Sequence, residues 1–253
     1  MTRFYTISAA LLLCVTLCGG CDKDDVAAPS GPSLVEIDTV ELSNVPEPSG
    51  LALDQDGLHL WTVSDQTGNV YRLTTSGSLV ATLEVGGQDL EGIAVDPTDG
   101  TLFVTEEGMG QVLHLDRAGN LLETLTPAGL PAMGNQGLEG ITIDPNTGHI
   151  FLLKEAAPGL LIEINREGIV LATTELDFAG DYSGLAYDIA TGQLLIISDQ
   201  SETLTWCTTG GQPVKSFATG LDKGEGIALD PESSVLYAVS DSRETLSSYQ
   251  VSE

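Results

Sequence analysis

Apolar positions along the chain come in short runs of three to six, broken by glycine- and aspartate-containing turns. No interior stretch keeps the i, i+3, i+4, i+7 spacing of an amphipathic helix. The pattern predicts short strands joined by tight turns. The runs also repeat. "PSGLALD", "LEGIAVD", "LEGITID", "YSGLAYD" and "GEGIALD" place a glycine at 50, 92, 140, 184 and 226, at intervals of 42, 48, 44 and 42 residues. Each is followed by an Asp-led turn and a second strand: "LWTVSD", "LFVTEE", "IFLLKE", "LLIISD" or "LYAVSD". Third and fourth strands come after it.

Four strands per unit at a period in the forties predict an all-β, five-bladed β-propeller. The last copy stops after its third strand, and "LVEIDTVEL" (34–42) is one strand in excess before the first. Pairing the two closes the ring and removes the open edges. An open solenoid would leave that surplus and deficit unexplained. The propeller is therefore placed at 34–253, with the N-terminal strand completing the last blade.

The repeated columns divide by chemistry. Trp61, Phe103, Phe151, Leu195 and Tyr237 share a column and are expected to pack between blades. Ala52, Ala94, Thr142, Ala186 and Ala228 are small, as expected where innermost strands crowd a channel. Asp54, Asp96, Asp144, Asp188 and Asp230 begin turns, where an Asp side chain bonds nearby amides.

Composition changes the picture at the N-terminus. Arg3 precedes the apolar run "AALLLCVTL" (9–17) and the small residues "CGGC", an export signal too short to span a bilayer. Residues 1–20 resemble a lipoprotein signal, with Cys21 as the lipidated residue; Cys18 stands where such signals usually carry a leucine-like residue. An ordinary secretory signal is the other reading. Residues 21–33 read as a disordered tether, which puts the domain in the periplasm or outside the cell on a cell-membrane or outer-membrane anchor. Cys207 is then left without a partner and is expected to pack as a small apolar residue.

The formal charge is −28, and −29 once residues 1–20, with one Arg and no acid, are removed. Such a chain does not bind nucleic acid and makes no broad contact with anionic lipid; it favours cations.

A second acidic column lies fifteen residues after each glycine: Asp65, Glu107, Glu155, Asp199 and Asp241. In a propeller blade the beginning of the first strand and the end of the second lie on one face. Glu91, Glu139 and Glu225, directly before their glycines, share that rim; Ser49 and Ser183 take their place in the other copies. Carboxylates this close repel by about 1–4 kcal/mol per pair. Only Lys154 and Lys223 lie beside them in sequence. Either a cation sits among the acids, with Glu91, Glu139 and Glu225 as inner ligands, or each acid caps its own turn. Oxygen ligands without histidine or thiolate suit Ca²⁺ or Mg²⁺ better than zinc. The histidines, His59, His114 and His149, converge with no nucleophile.

The run "DLEGIAVD…LFVTEE", "GLEGITID…IFLLKE", "DYSGLAYD…LLIISDQS", "GEGIALD…LYAVSDS" resembles the SdiA-regulated (YjiK-like) family of bacterial propellers over 34–253. That resemblance implies an exported or membrane-attached, calcium-binding propeller without an established reaction. The single repeats are also similar to NHL-type blades, mostly binding platforms. The expectation is a non-enzymatic binding or scaffold module, its mouth holding Ca²⁺ and a protein or small-molecule ligand. The alternative is a calcium-dependent hydrolase of the lactonase or phytase-like type. Lactonase propellers mix asparagines with acids around the metal, and here only Asn135 is near the rim.

Overall fold

A computed structural model describes residues 33–130, 137–221 and 223–252 of the chain. The signal, Cys21 and the tether, apart from its last residue, lie outside the described residues, as do residues 131–136, including Asn135.

Among the described residues, twenty strands form five four-stranded antiparallel sheets. Blade 1 holds β2 (Pro48–Leu53), β3 (His59–Ser64), β4 (Asn69–Thr74) and β5 (Leu79–Leu83), ordered from the inside out. Blade 2 holds β6 (Leu90–Val95), β7 (Leu102–Glu106), β8 (Gln111–Leu115) and β9 (Leu121–Leu125). Blade 3 holds β10 (Leu138–Ile143), β11 (Ile150–Lys154), β12 (Gly159–Ile164) and β13 (Val170–Leu176). Blade 4 holds β14 (Gly184–Asp188), β15 (Gln193–Ser198), β16 (Thr203–Cys207) and β17 (Pro213–Ala218). In blade 5, β18 (Gly224–Asp230), β19 (Val235–Ser240) and β20 (Thr245–Ser252) are completed on the outside by β1 (Ser33–Glu41). The pairing of β1 with β20 runs from Ser33↔Ser252 to Glu41↔Thr245, so the surplus strand fills the deficit.

Because strand side chains alternate in direction, each blade feeds two interfaces. Along β3, Leu60 joins the cluster shared with blade 5, while Trp61 and Val63 join the one shared with blade 2. Five apolar clusters result, one per blade–blade interface. The aromatic column sits in them: Trp61 and Phe103 are each 2 % exposed. Cys207 is fully buried beside Leu194 and Ile196, and burial pushes its thiol up to about 12.

The Asp column caps its turns and also ties blades together. Asp54, Asp96, Asp144, Asp188 and Asp230 each accept a backbone amide one or two residues on, at 2.7–2.9 Å. Arg117 of blade 2 reaches back to Asp54 of blade 1 (Nη2–Oδ2 2.7 Å, Nη1–Oδ1 3.0 Å), and Arg72 grips the same carboxylate at 2.6 Å. Burial pushes the Asp54 carboxyl up, but the two guanidinium groups outweigh it and leave it below the ordinary range. Both also stack on Trp61, 5.6 and 5.5 Å from the ring centroid. Arg166 of blade 3 pairs with Asp96 of blade 2 in the same way and lies 5.2 Å over Phe103. A buried carboxylate is tolerated here because two forked donors satisfy it.

Candidate functional site

The site begins with a distortion in the inner strands. In β2, β6, β10 and β18 the pairing register slips between Pro48/Leu51, Leu90/Ile93, Leu138/Ile141 and Gly224/Gly226. Each slip is a β-bulge, one residue too many against the partner strand, and it contains the Ser-Gly or Glu-Gly pair. A bulge re-aims its side chain out of the regular alternation. Ser49, Glu91, Glu139 and Glu225 thus turn toward the channel axis.

The glycines let the five inner strands meet. A Cβ on Gly92 would stand 2.2 Å from the Glu139 carbonyl oxygen, one on Gly184 2.2 Å from that of Glu225, and one on Gly226 2.2 Å from that of Ser49. At Gly50 the Glu91 carbonyl oxygen is 2.5 Å away, and at Gly140 the nearest atom is Leu185 Cβ at 2.8 Å. Every glycine therefore receives the inner strand of the next blade where a side chain would be. This ring, rather than the alanine column, is where the channel is tightest, with about 10 Å³ left open. Ala52, Ala94, Thr142, Ala186 and Ala228 line a wider funnel of about 740 Å³ beyond it.

Above the ring opens an acidic mouth of about 300 Å³. All eight predicted carboxylates line it: Asp65, Glu91, Glu107, Glu139, Glu155, Asp199, Glu225 and Asp241. Glu47, Asp181 and Gln200 line it too and were not foreseen. Ten carboxylates face a single ammonium, that of Lys223. Lys154 does not line the mouth. It is 3 % exposed and donates to the carbonyls of Ala156 and Pro158, holding the turn that carries Glu155.

The acids have unequal surroundings. Lys223 Nζ pairs with Asp199 at 2.8 Å. The Ser49 hydroxyl donates to Glu91 and that of Ser183 to Glu225, so the two serines of the repeat serve as partners for neighbouring glutamates. Asp181 accepts from the Ser198 hydroxyl and from the Gln200 amide (3.1 Å). Glu107 accepts the Gly137 amide at 2.8 Å. Glu107, Glu139 and Glu155 come closest to a ligand set, each offering an oxygen within 4.8 Å of the others. Glu139 alone of the predicted inner trio belongs to it; Glu91 and Glu225 flank it with their serines.

Crowding shows in the protonation of the acids. Burial, followed by the charge of Asp65, pushes Glu91 up to about 8. Burial, then Asp241 and Asp199, takes Glu225 to about 7. Glu139 is raised well above the carboxylate range by burial and then by Glu91 and Glu107. Asp65 and Glu155 are raised by burial, and then by Asp89 and by Glu107 respectively. Desolvated carboxylates facing one another hold protons or a cation.

A second acidic group, Asp54, Asp56 and His59, lies at the funnel end. Arg72 already bridges Asp54 and Asp56 at 2.6 and 2.8 Å, and His59 Nδ1 contacts Asp56 at 2.7 Å. That group is an ion-pair network.

No curated protein matches the sequence. Among solved structures, the glutaminyl cyclase of Myxococcus xanthus superposes with a TM-score of 0.69 at 15 % identity, covering 88 % of this chain and 97 % of that one. A chain of a nidogen/laminin complex gives 0.58 at 18 % identity (83 % and 86 % covered). The virginiamycin B lyase of Staphylococcus aureus gives 0.52 at 14 % (80 % and 66 %). Identities this low show the fold alone. The family model described as SdiA-regulated matches residues 33–244, nearly the whole propeller, and the chain belongs to the SdiA-regulated family.

Proposed function

We propose that this protein is an exported, lipid-anchored binding propeller, without catalytic activity of its own, whose acidic mouth holds a divalent cation, Ca²⁺. The observation that carries the reading is the imbalance at the mouth: ten carboxylates against one ammonium, with three carboxylates close enough to share an ion. Two oxygens on opposite sides of a Ca²⁺ ion, each about 2.4 Å from it, are about 4.8 Å apart, which is the limit within which Glu107, Glu139 and Glu155 lie. The donor set is hard oxygen throughout, with no histidine or thiolate lining the mouth. Glu91 and Glu225 would complete the shell or accept from its waters. The serine hydroxyls at the mouth are engaged with those glutamates, which supports binding rather than nucleophilic chemistry. With the cation in place, the mouth offers a partner a rim of carboxylates around one positive centre.

Calorimetric titration of the metal-stripped full-length chain with Ca²⁺ at pH 8 tests the reading. One site is expected, with affinity at least 30-fold weaker in Glu139→Gln and little changed in Glu163→Gln, an acid remote from the mouth. Absence of heat at millimolar Ca²⁺ would sink it.

A further inference from the structure

The two ends of the propeller differ in their exposed apolar side chains. Ten of the twelve exposed large hydrophobic side chains among the described residues stand at the end away from the acidic mouth. Inner strands begin at the mouth, so in these antiparallel blades the first turn and the beginning of the fourth strand both lie at the funnel end. Leu58 (66 % exposed) and Ile189 (54 %) are in first turns, and Leu79, Leu122 and Val214 begin outermost strands. The exceptions are Ile37, in mid-strand, and Met109, in a turn on the mouth side. Blades 1–4 each contribute at least one of the ten, and blade 5 contributes Val35 of β1, so the aliphatic groups encircle the funnel end.

The chain arrives at the same end. β1 begins at Ser33, paired with Ser252, where β20 finishes its run away from the mouth. Eleven residues separate Cys21 from Ser33, a reach of at most about 40 Å.

We infer that the funnel end of the propeller docks on the surface of a lipid bilayer, with the acidic mouth turned to the solvent. Exposed aliphatic side chains around the end at which β1 begins fit shallow insertion at an interface. A charge of −28 makes the surface a zwitterionic rather than an anionic one. The inference stands on side-chain placement and strand direction, rests for its occupant on the lipid anchor proposed above, and does not depend on the cation.

The test places a photoreactive benzophenone side chain at position 58, 122 or 109 of the full-length chain. The chain is reconstituted with phosphatidylcholine vesicles, with and without Ca²⁺, and lipid adducts are read by mass spectrometry. Positions 58 and 122 are expected to give at least fivefold more lipid adduct than position 109 in both conditions. Equal yields at all three, an excess at 109, or no adduct anywhere would overturn the inference.

Discussion

Replacing Gly226 with alanine is expected to destabilise the propeller by about 3 kcal/mol or more, although it adds a single methyl group. That methyl would lie 2.2 Å from the Ser49 carbonyl oxygen and 2.5 Å from the Leu51 nitrogen, both backbone atoms of the neighbouring blade. A clashing side chain rotates away; a clashing backbone can yield only if blade 1 moves outward. That movement would open the interface holding Leu51, Ala228 and Val239. Gly86→Ala is the control. Gly86, unlike Gly226, has a positive φ (69°), and it has no atom within 4 Å of a Cβ, so only the backbone cost of about 1–2 kcal/mol applies. Denaturant midpoints at constant slope separate the two. If Gly226→Ala costs no more than Gly86→Ala, the ring is not what sets the diameter of the channel.

Metal-free protein is expected to lose stability as pH rises from about 5 to 8, and Ca²⁺ is expected to restore it. The sign follows from the direction of the shifts. A carboxyl whose pKa is raised in the fold binds protons where the unfolded chain has released them, so stability falls with pH across that window. For Glu225, moving from 4.5 to about 7 corresponds to about 3 kcal/mol, present below pH 4.5 and lost by pH 7. Glu91, raised to about 8, extends the loss to that pH. Calcium competes with those protons, so its affinity rises as they leave. A hundredfold excess over the dissociation constant at pH 8 adds about 2.7 kcal/mol. Thermal unfolding at pH 5, 6, 7 and 8, with chelator and with Ca²⁺, reads both effects. Flat stability across the series in chelator would mean that the mouth carboxylates are not crowded in solution.

The architecture was legible because each blade writes the same events at the same spacing. The glycine, the apolar triplet and the turn Asp mark five inner strands, and the count of strands at the two ends fixes the closure. The eight acids were legible for the same reason, since a column that repeats with the blade lands on one face. Relations between blades were not. Arg117 and Asp54 are 63 residues apart, and nothing near either names the other. The serines at 49 and 183 looked like gaps in an acidic column, whereas they are hydrogen-bond donors to the next acid along the ring. Glu47 and Asp181 could have been found by extending the column to three residues before each glycine, where Asp89 and Lys223 also stand. The choice of Glu91, Glu139 and Glu225 as inner ligands rested on their place directly before the glycines. Four of the five inner strands carry the bulge and β14 does not, and the closest oxygens come from blades 2 and 3, where the acids on both strands converge.

The most direct test of the account is a crystal structure of the chain grown at pH 8 with Ca²⁺. The account predicts one calcium peak bound by carboxylate oxygens of Glu107, Glu139 and Glu155. A mouth holding only water under those conditions, or a calcium ion bound elsewhere while these three carboxylates remain free, would contradict it.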